Sequence, residues 1–384
     1  MHKKISFFFI ILMITFGQIL YGINITSIYD VMKERPDIKY IKCCGLQEFE
    51  YEPFFNDAFS EQWPHKGAFA ESFIVKIPNG QVVSENGFIK IDDCLIAESV
   101  HQDHLDSMYL DLFFHKLVKI KPKKISGRLA VVTSGSPQCY GHWVADILGK
   151  VILLKEHEVD YDWLYVPFNK RFMKETLILL GVDPLKIIEP KGLFDFLQAD
   201  ELIVPSYVAR RILPNNRFFE QKYLLAHYLP NWLIYYLRDL FLPLVNNKNL
   251  NLFCKKIFIS RKDSGYRVVE NEDEIFRLFE QRGFKRYFLS ELSMIEQVAL
   301  FRDAEIIAGP HGSGFSNLIY CNPGTKIIEI FQKRLDLSFF YIAQQIQFDY
   351  DYILTTSLCD GIGQKSSKIS VDIIKKYLNE HPEI

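Results

Sequence analysis

Glu305–Asn317 reads EIIAGPHGSGFSN, and its order of residue types decides the fold. Glu305–Ala308 is a short apolar run that predicts a strand. Gly309–Gly314 packs three glycines and a proline into six residues, a turn. From Gly312 to Tyr320 apolar residues recur at helical spacing. Strand, glycine-rich turn and helix in succession form the repeating unit of a parallel α/β sheet. Such a turn aims backbone N–H groups at whatever lies beyond the positive helix terminus, which suits an anion. Gly312 and Gly314 would let a phosphate or sugar approach the backbone. His311 falls at the carboxyl end of the strand, where open α/β sheets bind ligands.

The same alternation continues on both sides. Upstream, Lys256–Ser260 (KIFIS) predicts a strand, Asn271–Arg282 a helix, Arg286–Leu289 a strand and Ser293–Phe301 a helix. Downstream, Lys326–Phe331 predicts a strand and Ser370–Leu378 a closing helix. Arg261 follows the first strand and Arg267 lies six residues on; two guanidinium groups there could clamp a diphosphate bidentately. Asn271 is expected to cap its helix. Glu329 sits inside an apolar strand, where a carboxylate needs a partner or a ligand; a donor hydroxyl or Arg267 would serve.

The N-terminal half begins differently. Ser72–Glu98 alternates apolar and polar residues around Asn79-Gly80 and Asn86-Gly87, which predicts antiparallel hairpins. Alternating strands and helices then take over: Arg128–Thr133, a helix over Gly141–Glu156, Trp163–Pro167, Arg171–Leu180 and Glu201–Val204. His142 and Asp146 share one face of the first of these helices, and a histidine oriented by a carboxylate makes a general base. Phe218–Leu240 predicts a long helix interrupted at Pro230, and Val245–Asn251 (VNNKNLN) a linker.

At 384 residues the chain exceeds the roughly 250–300 at which one core stops growing. The expected organisation is an N-terminal segment over 1–24, a domain over 30–244, a second over 251–354 and a C-terminal helix within 365–384. Net charge is −2 without a basic stripe, which excludes nucleic acid as partner. Seven cysteines without a CxxC pair argue against structural zinc. Lys3-Lys4 ahead of the apolar run Ile5–Leu20 reads as a signal anchor or a secretory signal, with the body outside the cytosol and attached to, or released from, a membrane. Asp160-Tyr161-Asp162 and Asp349-Tyr350-Asp351 match the metal-binding D-x-D pattern, but neither has a strand-end setting. No P-loop or GxGxxG is present.

The residues Arg261, Arg267, Asn271-Glu272, Gly283-Phe284, Leu292-Ser293, Glu296-Gln297, Gly309, His311-Gly312, Asn317, Pro323-Gly324 and Glu329 occur in that order. With His142-Trp143 and Asp146 upstream, the chain resembles glycosyltransferase family 61, the DUF563 domain. Ser313 stands where that family usually carries Ala. The resemblance implies a GT-B-like α/β fold of two facing Rossmann-like domains with an antiparallel N-terminal sheet region. It implies a UDP-sugar donor, a glycan or glycoprotein acceptor, inversion at the anomeric carbon and no obligatory metal or other cofactor. On that footing Arg261, Arg267, Gly309, His311, Gly312, Ser313, Gly314, Asn317 and Glu329 hold the donor, and His142 or Asp146 deprotonates the acceptor. The competing expectation is a non-catalytic glycan-binding or envelope-assembly protein on the same fold.

Overall fold

The structure is a computed structural model that describes residues 24–52, 65–100, 121–212, 229–246, 253–265, 267–332, 335–355 and 366–384. The apolar N-terminal run, the part of the long helix expected before Pro230, most of the expected linker and Cys359 lie outside them. Contacts divide the chain into two compact units. One comprises Met1–Phe49 and Gly67–Leu225, the other Glu50–Lys66 and Ala226–Ile384. Among the described residues no helix is long and apolar enough to cross a membrane.

The second unit is built on a five-stranded, wholly parallel sheet. In chain order its strands are Lys256–Ile259, Lys285–Tyr287, Ile306–Pro310, Lys326–Phe331 and Asp349–Leu354. Their spatial order is 2-1-3-4-5, an open doubly wound sheet. The fifth strand carries one of the D-x-D segments and goes beyond the alternation read from sequence. Phe258, Ala308, Ile328, Ile330 and Ile353 share one core with the helices Glu272–Glu280 and Val371–Glu380.

Helix Asn231–Asn246 belongs to this unit, so the division falls well before the polar stretch expected as linker. The reason is packing. Leu233, Ile234, Leu237 and Phe241 are buried, and Phe241 meets Tyr320 edge-on at 5.7 Å. Arg238 donates to the Ile319 and Cys321 carbonyls at 2.5 and 2.7 Å, binding the end of the turn-helix Ser313–Tyr320.

The first unit is a ten-stranded mixed sheet rather than a plain parallel one. Strand Phe196–Pro205 is the seam. On one side it runs parallel to Lys123–Val131, which is followed by Trp163–Tyr165 and Ile187–Ile188, also parallel. On the other side it runs antiparallel to Ser72–Pro78 and Gln81–Val83. The antiparallel and the alternating parts of the sequence therefore share one sheet.

Of the two Asn-Gly turns, only the second closes a hairpin, pairing Val83 with Phe88 and Gln81 with Lys90. The first only bends a strand. Asn79 takes a left-handed φ of 56°, its N–H donates to Asp200 O at 3.0 Å, and Gly80 O accepts from Ala199 N–H at 3.2 Å. Pairing with one partner continues unbroken across the bend.

Gly80 lies so close to that partner that a methyl group would stand 2.7 Å from Leu202 Cβ. Gly80→Ala is expected to lower stability by about 1–3 kcal/mol, the cost of an overpacked core. The urea midpoint should fall without a change in m-value. Gly265, with nothing within 4 Å of its would-be Cβ, supplies the control; a Gly80→Ala midpoint as unmoved as that of Gly265→Ala would contradict the packing argument.

Candidate functional site

In a sheet of order 2-1-3-4-5 the crossovers leave the first and third strands toward opposite faces, and the crevice at their carboxyl ends is the binding position. Here those ends are Ile259–Arg261 and Gly309–Gly312. Glu272 opens the helix after the first strand and is fully buried. Its carboxylate accepts from Ser260 Oγ and, at 2.8 Å, from the Arg261 N–H. The Arg261 guanidinium is directed by two further bonds. Nε donates to the Arg267 carbonyl at 3.1 Å and Nη2 to Ser264 Oγ at 2.9 Å. Arg267 turns its carbonyl that way by adopting a left-handed φ of 54°, so its backbone already has a task.

The glycines of GPHGSG make room for the protein itself. A Cβ on Gly312 would stand 1.7 Å from Arg261 Nη1, one on Gly309 2.7 Å from the Ile259 carbonyl oxygen, and one on Gly314 2.8 Å from Leu289 Cδ1. Gly312 has extended backbone, φ 175°, so space and not dihedral freedom demands glycine there. The Arg261 side chain occupies the space that a Gly312 side chain would take, and Ser313 opens the 3₁₀ turn-helix immediately after it.

His311 is anchored from behind. Its N–H donates to the Ile330 carbonyl at 2.9 Å, and its Nδ1 meets Glu329 Oε1. The ring stacks on Phe331 at 5.5 Å and lies 5.3 Å from Phe339, with Nε2 3.9 Å from Asp336. Glu329 is fully buried, which pushes its carboxyl above the ordinary range, while His311 and Tyr350 pull it back down. The Tyr350 hydroxyl donates to its second oxygen at 2.5 Å. Burial beside Glu329 holds that phenol well above its usual value, as a donor. The partners of Glu329 are thus His311 and Tyr350; of the two partners expected for it, a donor hydroxyl or Arg267, Arg267 is not one of them.

Asn317 is also enclosed. It donates to Gln297 Oε1 at 2.8 Å, and Gln297 donates to the carbonyls of Leu289 and Leu292 at 2.9 and 3.2 Å. Gln297 sits on helix Met294–Asp303, which starts in a Ser293/Glu296 capping box. Asn271 does not cap its helix; its amide pairs with both the N–H and the carbonyl of Ile369, at 2.9 and 2.8 Å.

In the first unit, the helix after strand Lys123–Val131 begins at Tyr140, widens to π-helical turns over Trp143–Leu148, and resumes as α-helix over Gly149–Glu156. Such widened turns concentrate at functional sites. His142 Nδ1 meets Asp146 Oδ2 at 2.9 Å, with 13% and 9% of the two side chains exposed. Trp143 is fully buried and donates to Thr176 Oγ1 at 2.9 Å. One turn beyond Asp146, the Lys150 amine is buried as well. It donates to the Thr133 carbonyl at 3.0 Å and lies 3.6 Å above the Tyr207 ring. Burial pushes this amine down to about 7, with Asp146 pulling upward.

The D-x-D carboxylates are engaged elsewhere. Asp162 binds the Arg128 guanidinium and N–H, and Asp351 accepts from the Tyr377 hydroxyl at 2.6 Å. Glu272, Tyr350 and Lys150 were given no role of their own in the sequence analysis, although Glu272 stands among the residues that carry the resemblance and Tyr350 within a D-x-D segment. A charged residue at an otherwise apolar helical position was the signal for Lys150. For Glu272 the signal was a carboxylate one position past the expected cap. For Tyr350 none was available, because its role depends on strand pairing.

The Lys150 shift has a thermodynamic consequence. Between pH 7 and the ordinary lysine value of 10.5 the unfolded chain keeps a proton that the folded chain has released. Stability therefore rises with pH through this group. Below pH 7 both states hold the proton and the burial penalty is complete. The stability of wild type relative to Lys150→Met should increase from pH 7 to pH 10 in chemical denaturation; a difference flat across that window would contradict it.

Comparison with curated protein sequences finds no match. A family model does match, and it spans the helix of His142 and Asp146, the Arg261 loop and the GPHGSG turn. From Tyr140 to Ile328, one residue short of Glu329, the chain matches the model of Glycosyltransferase 61 and belongs to that family.

Proposed function

We propose that the chain transfers a sugar from a UDP-sugar to a hydroxyl of a glycan or protein acceptor, with inversion at the anomeric carbon. That it is a glycosyltransferase follows from the family. The observation that carries the finer reading is the Arg261 guanidinium fixed on the Gly312 backbone at the strand crossover. A diphosphate placed there meets a permanent cation, with a second guanidinium at Arg267 and the start of a helix beside it. Gly309 and Gly314 let the turn close up, and Ser313 adds a hydroxyl at the helix start. His311 presents its ring edge, oriented by Glu329, while Asn317 braces the turn from within. These groups are positioned before reaction, so they stabilise the charge that grows on the leaving diphosphate.

The first unit supplies the base. With the Nδ1 proton of His142 shared with Asp146, Nε2 accepts the proton of the acceptor hydroxyl. The acceptor oxygen forms its bond to the anomeric carbon as the bond from that carbon to the phosphate oxygen breaks, and UDP leaves with the electron pair. One displacement gives inversion. In this reading guanidinium groups, not a metal ion, meet the leaving charge, and the D-x-D carboxylates serve ion pairs and a tyrosine. Donor on the second unit and base on the first is a GT-B-like division of labour. The Ile5–Leu20 segment is assigned to targeting, as an anchor or a secretory signal.

Arg261→Ala is expected to weaken UDP binding by about 1.5–3 kcal/mol, the range for hydrogen bonds to charged groups. Gly312→Ala should lose a similar amount, because its methyl displaces the guanidinium, and the double variant should lose no more than Arg261→Ala alone. Calorimetric titration with UDP decides; unchanged affinity in a folded Arg261→Ala removes the basis of this assignment.

His142→Ala should lower kcat by about 10²–10⁴-fold, the usual contribution of a general base, with UDP affinity hardly altered. Asp146→Asn should lose less. A His142→Ala enzyme with normal kcat and a raised acceptor KM would mean that His142 only positions the acceptor, and that Asp146 is the base.

A further inference from the structure

The five-stranded sheet of the second unit has an opening at its other end as well. A cleft of about 630 Å³ lies where its strands begin, lined by Phe253, Lys255, Arg302–Glu305 and Asn322–Thr325. Its volume falls in the range of roughly 300–1,000 Å³ that small ligands occupy. From Glu305 to His311 the chain advances roughly 20 Å along the strand, at about 3.3 Å per residue. The cleft is therefore a separate place from the crevice at the carboxyl ends, where open α/β sheets bind their ligands.

The backbone around it is already paired. The Lys255 carbonyl accepts from the N–H groups of Glu305 and Ile306 at 2.8 and 3.1 Å, the Glu305 carbonyl from Lys326 N–H at 2.9 Å, and the Thr325 carbonyl from Asp349 N–H at 3.1 Å. What the cleft offers is mainly side chains, and these are held in place. Arg302 meets Asp303 through two parallel bonds, Nε to Oδ1 at 2.7 Å and Nη2 to Oδ2 at 2.6 Å. Asn322 donates to the Arg302 carbonyl at 2.9 Å. Lys255 pairs with Glu305 across two strand starts. Phe253 is half-buried, its ring 5.8 Å from Tyr287 and edge-on to it. Gly324, at a left-handed φ of 84°, has nothing within 4 Å of its would-be Cβ, so the space above that turn stays open.

The lining selects a class of ligand. Among the described residues that line the cleft the charges are Lys255, Arg302, Asp303 and Glu305, two of each sign. An ion of either sign gains nothing from such a set. A purely apolar ligand would strip water from charged groups and return no hydrogen bonds. An uncharged molecule rich in hydroxyls fits, because each hydroxyl both donates and accepts, and a paired carboxylate keeps lone pairs for further donors. Phe253 adds the negative face of an aromatic ring, which attracts the polarised C–H bonds of a sugar. A peptide strand would look for unpaired backbone groups, and the strand starts offer few. We propose that this cleft binds a neutral glycan chain at a site distinct from the donor crevice. On the proposed transferase reading that chain is the acceptor or its product, held away from the reacting hydroxyl; the binding itself does not rest on that reading.

Calorimetric titration of the full chain without UDP tests it, with cellohexaose, xylohexaose, chitohexaose and maltohexaose as probes and a polygalacturonate oligomer as the acidic control. At least one neutral hexasaccharide should bind, and Glu305→Gln and Gly324→Asn should each weaken it by about tenfold or more, the effect of losing a hydrogen bond to a charged group. Asparagine tolerates the left-handed backbone and places its side chain in the opening. UDP affinity should stay at the wild-type value in both variants, which also reports that they fold. A wild type that binds none of the four hexasaccharides overturns the proposal. So does binding that survives in both variants, since the glycan then sits elsewhere. An acidic oligomer bound as tightly, and lost in the same variants, overturns the neutral class, and an unstructured peptide that displaces the hexasaccharide at equal concentration overturns the choice of glycan. Because no sugar is transferred in these titrations, a wild type that binds glycan but transfers nothing refutes the transferase reading and leaves the cleft standing.

Discussion

Two strand ends that meet with no side chain between them set the geometry of the second unit. Gly309 lies against the Ile259 carbonyl, and Gly312 lies under the Arg261 guanidinium. Protein interiors are packed too tightly to absorb an added methyl group at such a contact without something moving. The arrangement is held from both sides. Glu272 grips the Ser260 hydroxyl and the Arg261 N–H, while Ser264 and Arg267 aim the guanidinium. Glu329 and Tyr350 fix His311 on the adjacent strand. The two carboxylates behind this surface, Glu272 and Glu329, are fully buried, so the groups above them are set by what lies beneath.

The parallel sheet was legible in the sequence because its strands are continuous apolar runs separated by helices with a clear period. KIFIS, EIIA and KIIEIF could hardly belong to another pattern. The strand Asp349–Leu354 was obscured by its charges. Asp349 lies at its exposed start, and Asp351 is occupied by Tyr377, so a half-buried strand read as a polar segment. In the first unit the turn chemistry at Asn79-Gly80 misled. The dipeptide supplies the left-handed residue that a hairpin needs, but the strand beyond it found the same partner, Phe196–Pro205, some 120 residues away in sequence. Local propensity cannot report a choice made at that range.

The candidate site was legible residue by residue, and less so in its division of work. The sequence singled out His142 with Asp146, Arg261 and the GPHGSG turn, and the structure gives each of them a defined setting. What it could not reveal was direction. Asn317 and Glu329 face inward to Gln297, His311 and Tyr350, and the glycines face protein atoms. Asn271 looked like a helix cap because it stands at a helix start. Instead it fastens the segment at Ile369, which comes nearly a hundred residues later. Polar residues buried beside a site are recognisable by type, but whether they touch a ligand or hold a neighbour depends on side-chain directions that pattern does not encode.

Arg267 illustrates a tension between backbone and side chain at a single position. Its left-handed φ of 54° costs an arginine about 1–3 kcal/mol, and glycine would adopt it freely. The carbonyl that receives the Arg261 bond belongs to the backbone and would survive that exchange. An arginine here therefore makes the loop less stable than the loop's own geometry requires. Under the diphosphate role proposed for Arg267, stability and side-chain chemistry pull in opposite directions at this residue, and a glycine exchange that made the loop more heat-resistant would remove the second guanidinium.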